Sequence, residues 1–257
     1  MAPGSPALAG KRALIYGGGT GLGLACAEAL AREGAAVFIS GRRETVLQAA
    51  CAKLRALGSA AYEAGDATVV ADVQRVTAKA VAAMGGLDTV VISAGAGGRT
   101  SVLDTDPEYF QAMVDHNIRP VFLASRYAAA HLVAAGSGSI IAISSMYGLV
   151  GQRERIGYCT AKAGVIGFVK AAALDLADKG VRVNAICPGF VETDLAIEVA
   201  KLEADPEAAL RHKRMMHAIP RPGRPEEIGA AAVYLASDLS AFMTGQTMTI
   251  DGGYTTR

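Results

Sequence analysis

The chain has 257 residues, of which 51% are hydrophobic and 19% charged, with a formal net charge of +1. That is enough apolar material for a large core, which excludes a disordered chain, and the balanced charge with no long basic run argues against a nucleic-acid partner. No stretch is long and apolar enough to span a membrane, and MAPGSPALAG lacks the charged start and apolar run of a secretory signal.

In chain order, residues 1–8 read as a flexible lead-in. The expected strands are ALIY (13–16), AVFIS (36–40), AAYEA (60–64), TVVIS (89–93), SIIAIS (139–144), VRVNAI (181–186) and TMTID (247–251). Most are apolar throughout, as parallel strands covered on both faces should be. Between them lie stretches of helical periodicity at 22–33, 44–57, 69–84, 107–134, 158–179 and 225–235. Strict alternation of strand and helix predicts an α/β fold, a doubly wound parallel sheet of Rossmann type, as a single domain over 1–257. Residues 190–219 break the rhythm with a charged, Met-containing segment after a strand, a place where a substrate lid would sit. A plain surface helix fits it equally well.

The four cysteines, Cys26, Cys51, Cys159 and Cys187, form no CxxC pair and have no His/Cys cluster at zinc spacing. No metal site is expected. They read as buried thiols, and a reducing, cytoplasmic setting follows.

The first expected strand runs into YGGGTGLG (16–23) and then a helix. Gly17, Gly19, Gly21 and Gly23 allow a tight turn and a close approach to a pyrophosphate, and Thr20 and Leu22 open a helix whose free N–H groups favour an anion. After the second strand comes Ser40-Gly41-Arg42-Arg43, with no carboxylate to bind a ribose 2′-hydroxyl. Arg42 would instead match a 2′-phosphate, so NADP(H) is expected over NAD(H).

Tyr158 and Lys162 are four residues apart in a helical stretch, hence on one face. An ammonium beside the phenol would favour the phenolate and bring Tyr158 within range for proton transfer. At the end of SIIAISS, thirteen residues earlier, Ser145 could donate to a substrate carbonyl, with Ser144 as the competing candidate.

Taken together, GGGTGLG, YCTAK and the segments NAICPGFVET and RPGRPEEIGAAAVYLASDLSAFMTGQTMTIDGG resemble the short-chain dehydrogenase/reductase family over nearly the whole chain from about Leu8. Tyr16 stands where the family's TGxxxGxG motif has threonine, and Ile92 and Ser93 replace two asparagines of NNAG. The resemblance implies a ketone or secondary-alcohol oxidoreductase with Ser145, Tyr158 and Lys162 catalytic. It also implies that Asn117 completes a water-linked proton relay. It assigns Asp66 and Ala67 to the adenine, and Ser93, Ala94 and Gly95 to close cofactor approach. Pro188, Gly189, Val191 and Thr193 flank the nicotinamide, and Tyr158 and Lys162 also touch the cofactor. Similar proteins are usually homotetramers, with the YxxxK helix at an interface, where Ala163, Gly164, Gly167, Ala171 and Ala172 would allow close approach. Two rivals are an enoyl reductase, although such relatives place six residues between Tyr and Lys, and a non-catalytic NADP sensor. The substrate, a small carbonyl or alcohol compound, is left open between cyclic ketone, sugar-like ketone and β-ketoacyl thioester. Leu149, Val150, Leu195, Met215, Met216, Arg99, Arg153, Glu154 and Arg155 are candidates to line its pocket.

Overall fold

A computed structural model describes residues 6–193, 196–197 and 205–256. Seven strands, β1 (Arg12–Tyr16), β2 (Ala36–Gly41), β3 (Ala60–Ala64), β4 (Thr89–Ile92), β5 (Gly138–Ile143), β6 (Val181–Pro188) and β7 (Thr247–Ile250), form one sheet in the order β3-β2-β1-β4-β5-β6-β7. Every pairing is parallel; β1 pairs β2 through Leu14 and Phe38, and β4 through Leu14 and Val90. The chain winds outward from β1 to β3, then returns to start the other half at β4. The switch point between β1 and β4 opens a crevice at the strands' C-terminal ends, where ligands bind in such sheets.

The helices are α1 (Gly21–Arg32), α2 (Glu44–Arg55), α3 (Val70–Met84), α4 (Pro107–Asn117), α5 (Arg119–Ala134), α6 (Ile156–Leu176), α7 (Pro206–Met215) and α8 (Pro225–Ala236). Side chains alternate across each strand. Ile15, Val91, Ile141 and Ile186 pack on one face with Cys26, Leu30, Leu54 and Ile228 from α1, α2 and α8. Leu14, Val90, Ile140 and Val183 pack on the other with Val76, Ala124 and Val165 from α3, α5 and α6. Two apolar layers thus cover one sheet, which explains why the central strands read as unbroken apolar runs. On the first face α1 and α8 touch closely, because a Cβ on Gly229 would lie 2.8 Å from Ala25 O.

Three expectations change. The helix over 107–134 is two helices, broken at Ile118: Pro120, in the first turn of α5, has no N–H to continue the ladder. Leu8, expected in a flexible lead-in over 1–8, is buried, and its N–H, like that of Ala7, is bonded to Glu33; residues 1–5 lie outside the described set. Cys159 is only partly buried, unlike Cys26, Cys51 and Cys187. Within 190–219, the described part contains α7, whose N-cap Asp205 accepts from Ala208 N at 2.9 Å; Leu195 lies outside the described residues. Among the described residues no helix is long and apolar enough to cross a membrane, and no His/Cys/Asp/Glu group could hold a metal ion.

Candidate active site

The glycine turn closes the C-terminal end of β1. The N–H groups of Gly17 and Gly18 donate to Ser40 O at 2.8 and 3.1 Å, which ties the turn to the end of β2. Gly17 has φ 78°, and a Cβ there would lie 2.7 Å from Ala94 N, so glycine lets the ends of β1 and β4 touch. A Cβ on Gly23 would come within 2.1 Å of Gly17 O. Gly18, absent from the sequence assignment, is equally constrained, since its Cβ would meet Ile39 at 2.8 Å. A Cβ on Gly19 would press tightly on Leu47 and Val46 at 3.3 and 3.4 Å, and Gly21, with φ 55°, faces the methyl of Thr193. Thr20 is the N-cap of α1 without a side-chain capping bond, and Leu22 is partly buried behind it.

Tyr16, in place of the motif threonine, is buried. Its hydroxyl donates to Val73 O at 3.1 Å and shares a 2.7 Å bond with Thr77 on α3. Burial pushes this phenol up to about 12. The residue supports the turn from behind.

At the end of β2 the Ser40 hydroxyl is buried with no hydrogen-bond partner among the described residues, and Arg42 is exposed and makes no ion pair there. Asp66 follows β3. Its Oδ1 accepts from Thr68 N–H and hydroxyl at 2.8 and 2.7 Å, and its own N–H donates to Asp72. Ala67 is buried beneath it. Ser93 N–H donates to Tyr16 O at 2.9 Å, and Ala94 and Gly95 run beside the glycine turn. On the far side, Gly189 N–H donates to Ile250 O, Val191 bridges to Gly223, and Thr193 Oγ1 accepts from Ala196 N. A Cβ on Gly189 would strike Asp251 and the His217 ring, both at 2.8 Å. Pro188 ends β6 immediately before this turn.

Ser145 follows β5 and caps the short 3-10 turn Met146–Gly148, accepting from Tyr147 N at 3.1 Å. The Ser144 hydroxyl instead donates to Lys162 O at 2.9 Å, so it is committed to the backbone of α6. Tyr158 and Lys162 lie in the first two turns of α6. Lys162 is buried, and its ammonium donates to Ile143 O at 3.0 Å and lies 5.7 Å from the centre of the Tyr158 ring. A Cβ on Gly95 would come 3.5 Å from Lys162 Nζ and 2.8 Å from Asn117 Oδ1, which brings the loop after β4 against both.

One electrostatic expectation is corrected. Burial raises the Tyr158 phenol above its ordinary value, and the opposing pulls come from a hydrogen bond to Ser145 and from the Arg155 charge. The Lys162 ammonium sits beside the ring, and burial lowers Lys162 itself to about 8. The Asn117 side chain is tied to the loop after β4 and to its own helix. Its Nδ2 donates to Ala96 O at 3.0 Å and Met113 O at 2.9 Å, and its Oδ1 accepts from Ala96 N at 3.3 Å. It fixes the loop after β4 at the point where the helix breaks.

At Gly17, Gly18 and Gly23 the glycine cradle has no room for a Cβ, the start of α1 lacks a side-chain cap, and the Ser40 hydroxyl is buried without a partner among the described residues. These features suit a dinucleotide pyrophosphate and ribose at the switch point.

A doubly wound sheet with such a turn at its switch point and a Ser/Tyr/Lys group across it is the architecture of a nicotinamide-dependent oxidoreductase. The family model described as enoyl-(acyl carrier protein) reductase matches residues 17–255. The chain is 37% identical over 254 residues to cis-4-hydroxycyclohexanecarboxylate dehydrogenase of Sinomonas cyclohexanicum, covering 97% of this chain and 98% of that one. It is 34% identical to cyclohexanol dehydrogenase of Acinetobacter sp., covering 96% of each. A solved short-chain type dehydrogenase/reductase from Mycobacterium marinum superposes with a TM-score of 0.91 at 36% identity, covering 98% of both chains. The chain belongs to the short-chain dehydrogenase/reductase family. It is an oxidoreductase of CH–OH and C=O groups that works with a nicotinamide cofactor and a small-molecule substrate.

Proposed function

We propose that the protein interconverts a ring-bearing secondary alcohol and its ketone, using NADP(H), with Tyr158 as proton donor and acceptor. The observation that carries this reading is the meeting of Ser145, Tyr158 and Lys162 at the C-terminal end of β5, across from the glycine turn. The ring is suggested by the cyclohexane alcohols named for two relatives.

Gly17, Gly19, Thr20, Gly21, Leu22 and Gly23 would hold the pyrophosphate, Ser40 and Arg42 the ribose phosphate, and Asp66 and Ala67 the adenine. Ser93, Ala94, Gly95, Pro188, Gly189, Val191, Thr193 and Lys162 would enclose the nicotinamide half. The bound nicotinamide supplies hydride for reduction and accepts it in oxidation. In reduction the Tyr158 hydroxyl gives its proton to the carbonyl oxygen as that oxygen gains negative charge. The Ser145 hydroxyl donates to the same oxygen and fixes its position. Lys162, one turn behind Tyr158, places its positive charge under the phenol as the proton leaves. Asn117 is a positioning residue that holds Ala96, and through it Gly95, against Lys162. Oxidation runs the same path backwards, with Tyr158 as base.

The test is turnover of NADPH and NADH across cyclic ketones and alcohols. Tyr158→Phe should lose at least about 100-fold in kcat, since proton transfer by a positioned group contributes 10²–10⁴, while still binding NADPH. Near-normal turnover in the variant would overturn the role of Tyr158. Tight NADPH binding with no turnover on any carbonyl or alcohol would favour the sensor, and turnover confined to C=C substrates the enoyl reductase. Arg42→Ala should raise KM for NADPH roughly 10- to 100-fold, the worth of a charge-assisted contact, and leave NADH almost unchanged. Equal losses would sink the NADP(H) assignment. The protein is further proposed to act as a single domain, with 190–219 covering the substrate, and as a homotetramer.

A further inference from the structure

Arg155 is the N-cap of α6 and Tyr158 the third residue of its first turn, so the two are neighbours at the start of the helix. Its Nη1 donates to Gly98 O at 2.9 Å. The segment joins the loop after β4 a second time: Thr100 N–H donates to Glu154 O at 2.8 Å, and Thr100 and Arg155 form a parallel bridge. Beside it, Arg99 and Glu154 form an ion pair at 2.7 Å. Glu154 has φ 56°, a left-handed conformation that a non-glycine residue keeps only where surrounding contacts fix it. The two loops therefore form a clasp over the start of the catalytic helix. With Glu154 turned to Arg99, Arg155 has no carboxylate partner among the described residues.

We propose that Arg155 is a positioning residue for the proton transfer: it clamps residues 98–100 to the start of α6 and keeps an unneutralised cation beside the Tyr158 phenol, where it favours the phenolate. This rests on Tyr158 being the proton-transfer group. The direction agrees with the Arg155 charge pulling both the Tyr158 and Tyr147 phenols downward against burial. The other groups facing Tyr158 differ in kind. On α6, the Cys159 thiol acts in the opposite direction, and the Lys162 ammonium, which donates to Ile143 O, is a second cation 5.7 Å from the ring centre. After β5, Ser145 contributes a hydrogen bond without charge, and Tyr147 is a neutral phenol pushed up to about 12, packed edge-on to Tyr254 from the C-terminal segment. From the loop after β4, the Arg99 charge is balanced by Glu154.

The experiment compares kcat/KM for alcohol oxidation against pH in the wild-type protein, Arg155→Gln and Arg155→Lys, with Tyr158→Phe alongside and NADPH binding measured for each. Removing the cation disfavours the phenolate, so in Arg155→Gln the acidic limb should move to higher pH. At a fixed pH on that limb activity should fall roughly three- to tenfold and recover at alkaline pH. Arg155→Lys keeps the charge and should keep the wild-type limb, even where its looser grip on Gly98 O lowers kcat at all pH values. A uniform drop in Arg155→Gln with an unmoved limb would overturn the proposal and leave Tyr158 in place, and so would a limb displaced equally in both variants. If Arg155→Gln does not fold, a displaced limb in Arg155→Lys alone overturns it and an unmoved one supports it. An active Tyr158→Phe would overturn both this inference and the reading it rests on.

Discussion

Lys162 combines two roles that pull against each other. Its ammonium is buried, held by one carbonyl, and lowered to about 8 from 10.5. Between those values the unfolded chain binds a proton that the folded chain has released, so this group makes folding more favourable as pH rises from about 8 to 10.5. Below about pH 8 the folded chain bears the full cost of the buried charge. Lys162→Met should therefore abolish turnover yet leave the protein as stable as the wild type at pH 7, or more stable by on the order of 1–2 kcal/mol. The gain should shrink toward pH 10. Chemical denaturation at the two pH values checks this, and a Lys162→Met protein clearly less stable at pH 7 would mean that the bond to Ile143 O outweighs the burial. Gly23 gives a simpler case: Gly23→Ala puts a methyl 2.1 Å from Gly17 O, so the turn must open. Both cofactor binding and the melting temperature should drop. The sequence made these two positions visible by different routes. Glycine spacing after a strand directly reports a steric need, whereas the four-residue spacing of Tyr158 and Lys162 reports only that they are neighbours. Whether burial or charge dominates their titration depends on what packs over them, and the clasp that supplies Arg155 joins segments more than fifty residues apart.

At the scale of elements, strand and helix alternation was legible because most strands are apolar on both faces and most helices on one. Boundaries moved by one to three residues. The exception was the long helix, where apolar periodicity runs through Ile118 but the ladder cannot, because Pro120 lacks a donor. That break has a consequence for the site. It leaves Asn117 at the last turn of α4, where its amide reaches Ala96 on a different loop. Asn117→Ala removes three hydrogen bonds and leaves the buried carbonyl of Met113 and the partly buried one of Ala96 without that donor. We expect a loss of on the order of 1–3 kcal/mol in stability together with a fall in kcat, because Gly95 is no longer pressed against Lys162. The two effects are separable: thermal melting reports the first, and turnover at saturating cofactor, well below the melting temperature, reports the second. Unchanged kcat in a destabilised variant would restrict Asn117 to a structural role.

For the whole molecule, the two apolar layers leave one helix face uncovered. On α6, Ala163, Gly167 and Ala171 are exposed at four-residue intervals, and Leu174 continues the row at 82% exposure. Phe122 of α5, half exposed, stands beside them, edge-on to Phe168 at 6.5 Å. The inward small residues have a different purpose, since a Cβ on Gly164 would meet Ile118 at 2.6 Å. The sequence showed all five small residues but not which of them face out. A row of small side chains ending in leucine lets a second helix approach closely, and burying Leu174 alone would contribute about 1.5–3 kcal/mol. This supports the proposed tetramer and gives it a clean test. A Cβ on Gly167 would meet nothing within 4 Å in the single chain, so Gly167→Arg should fold normally. In an assembly built on this face the same side chain would separate the helices. Light scattering should find four chains for the wild type and fewer for Gly167→Arg, with unchanged circular dichroism. A wild-type protein of single-chain mass would overturn the tetramer. An intact tetramer in Gly167→Arg would move the interface to another surface, with the exposed Phe242 and Leu239 near β7 the next place to test.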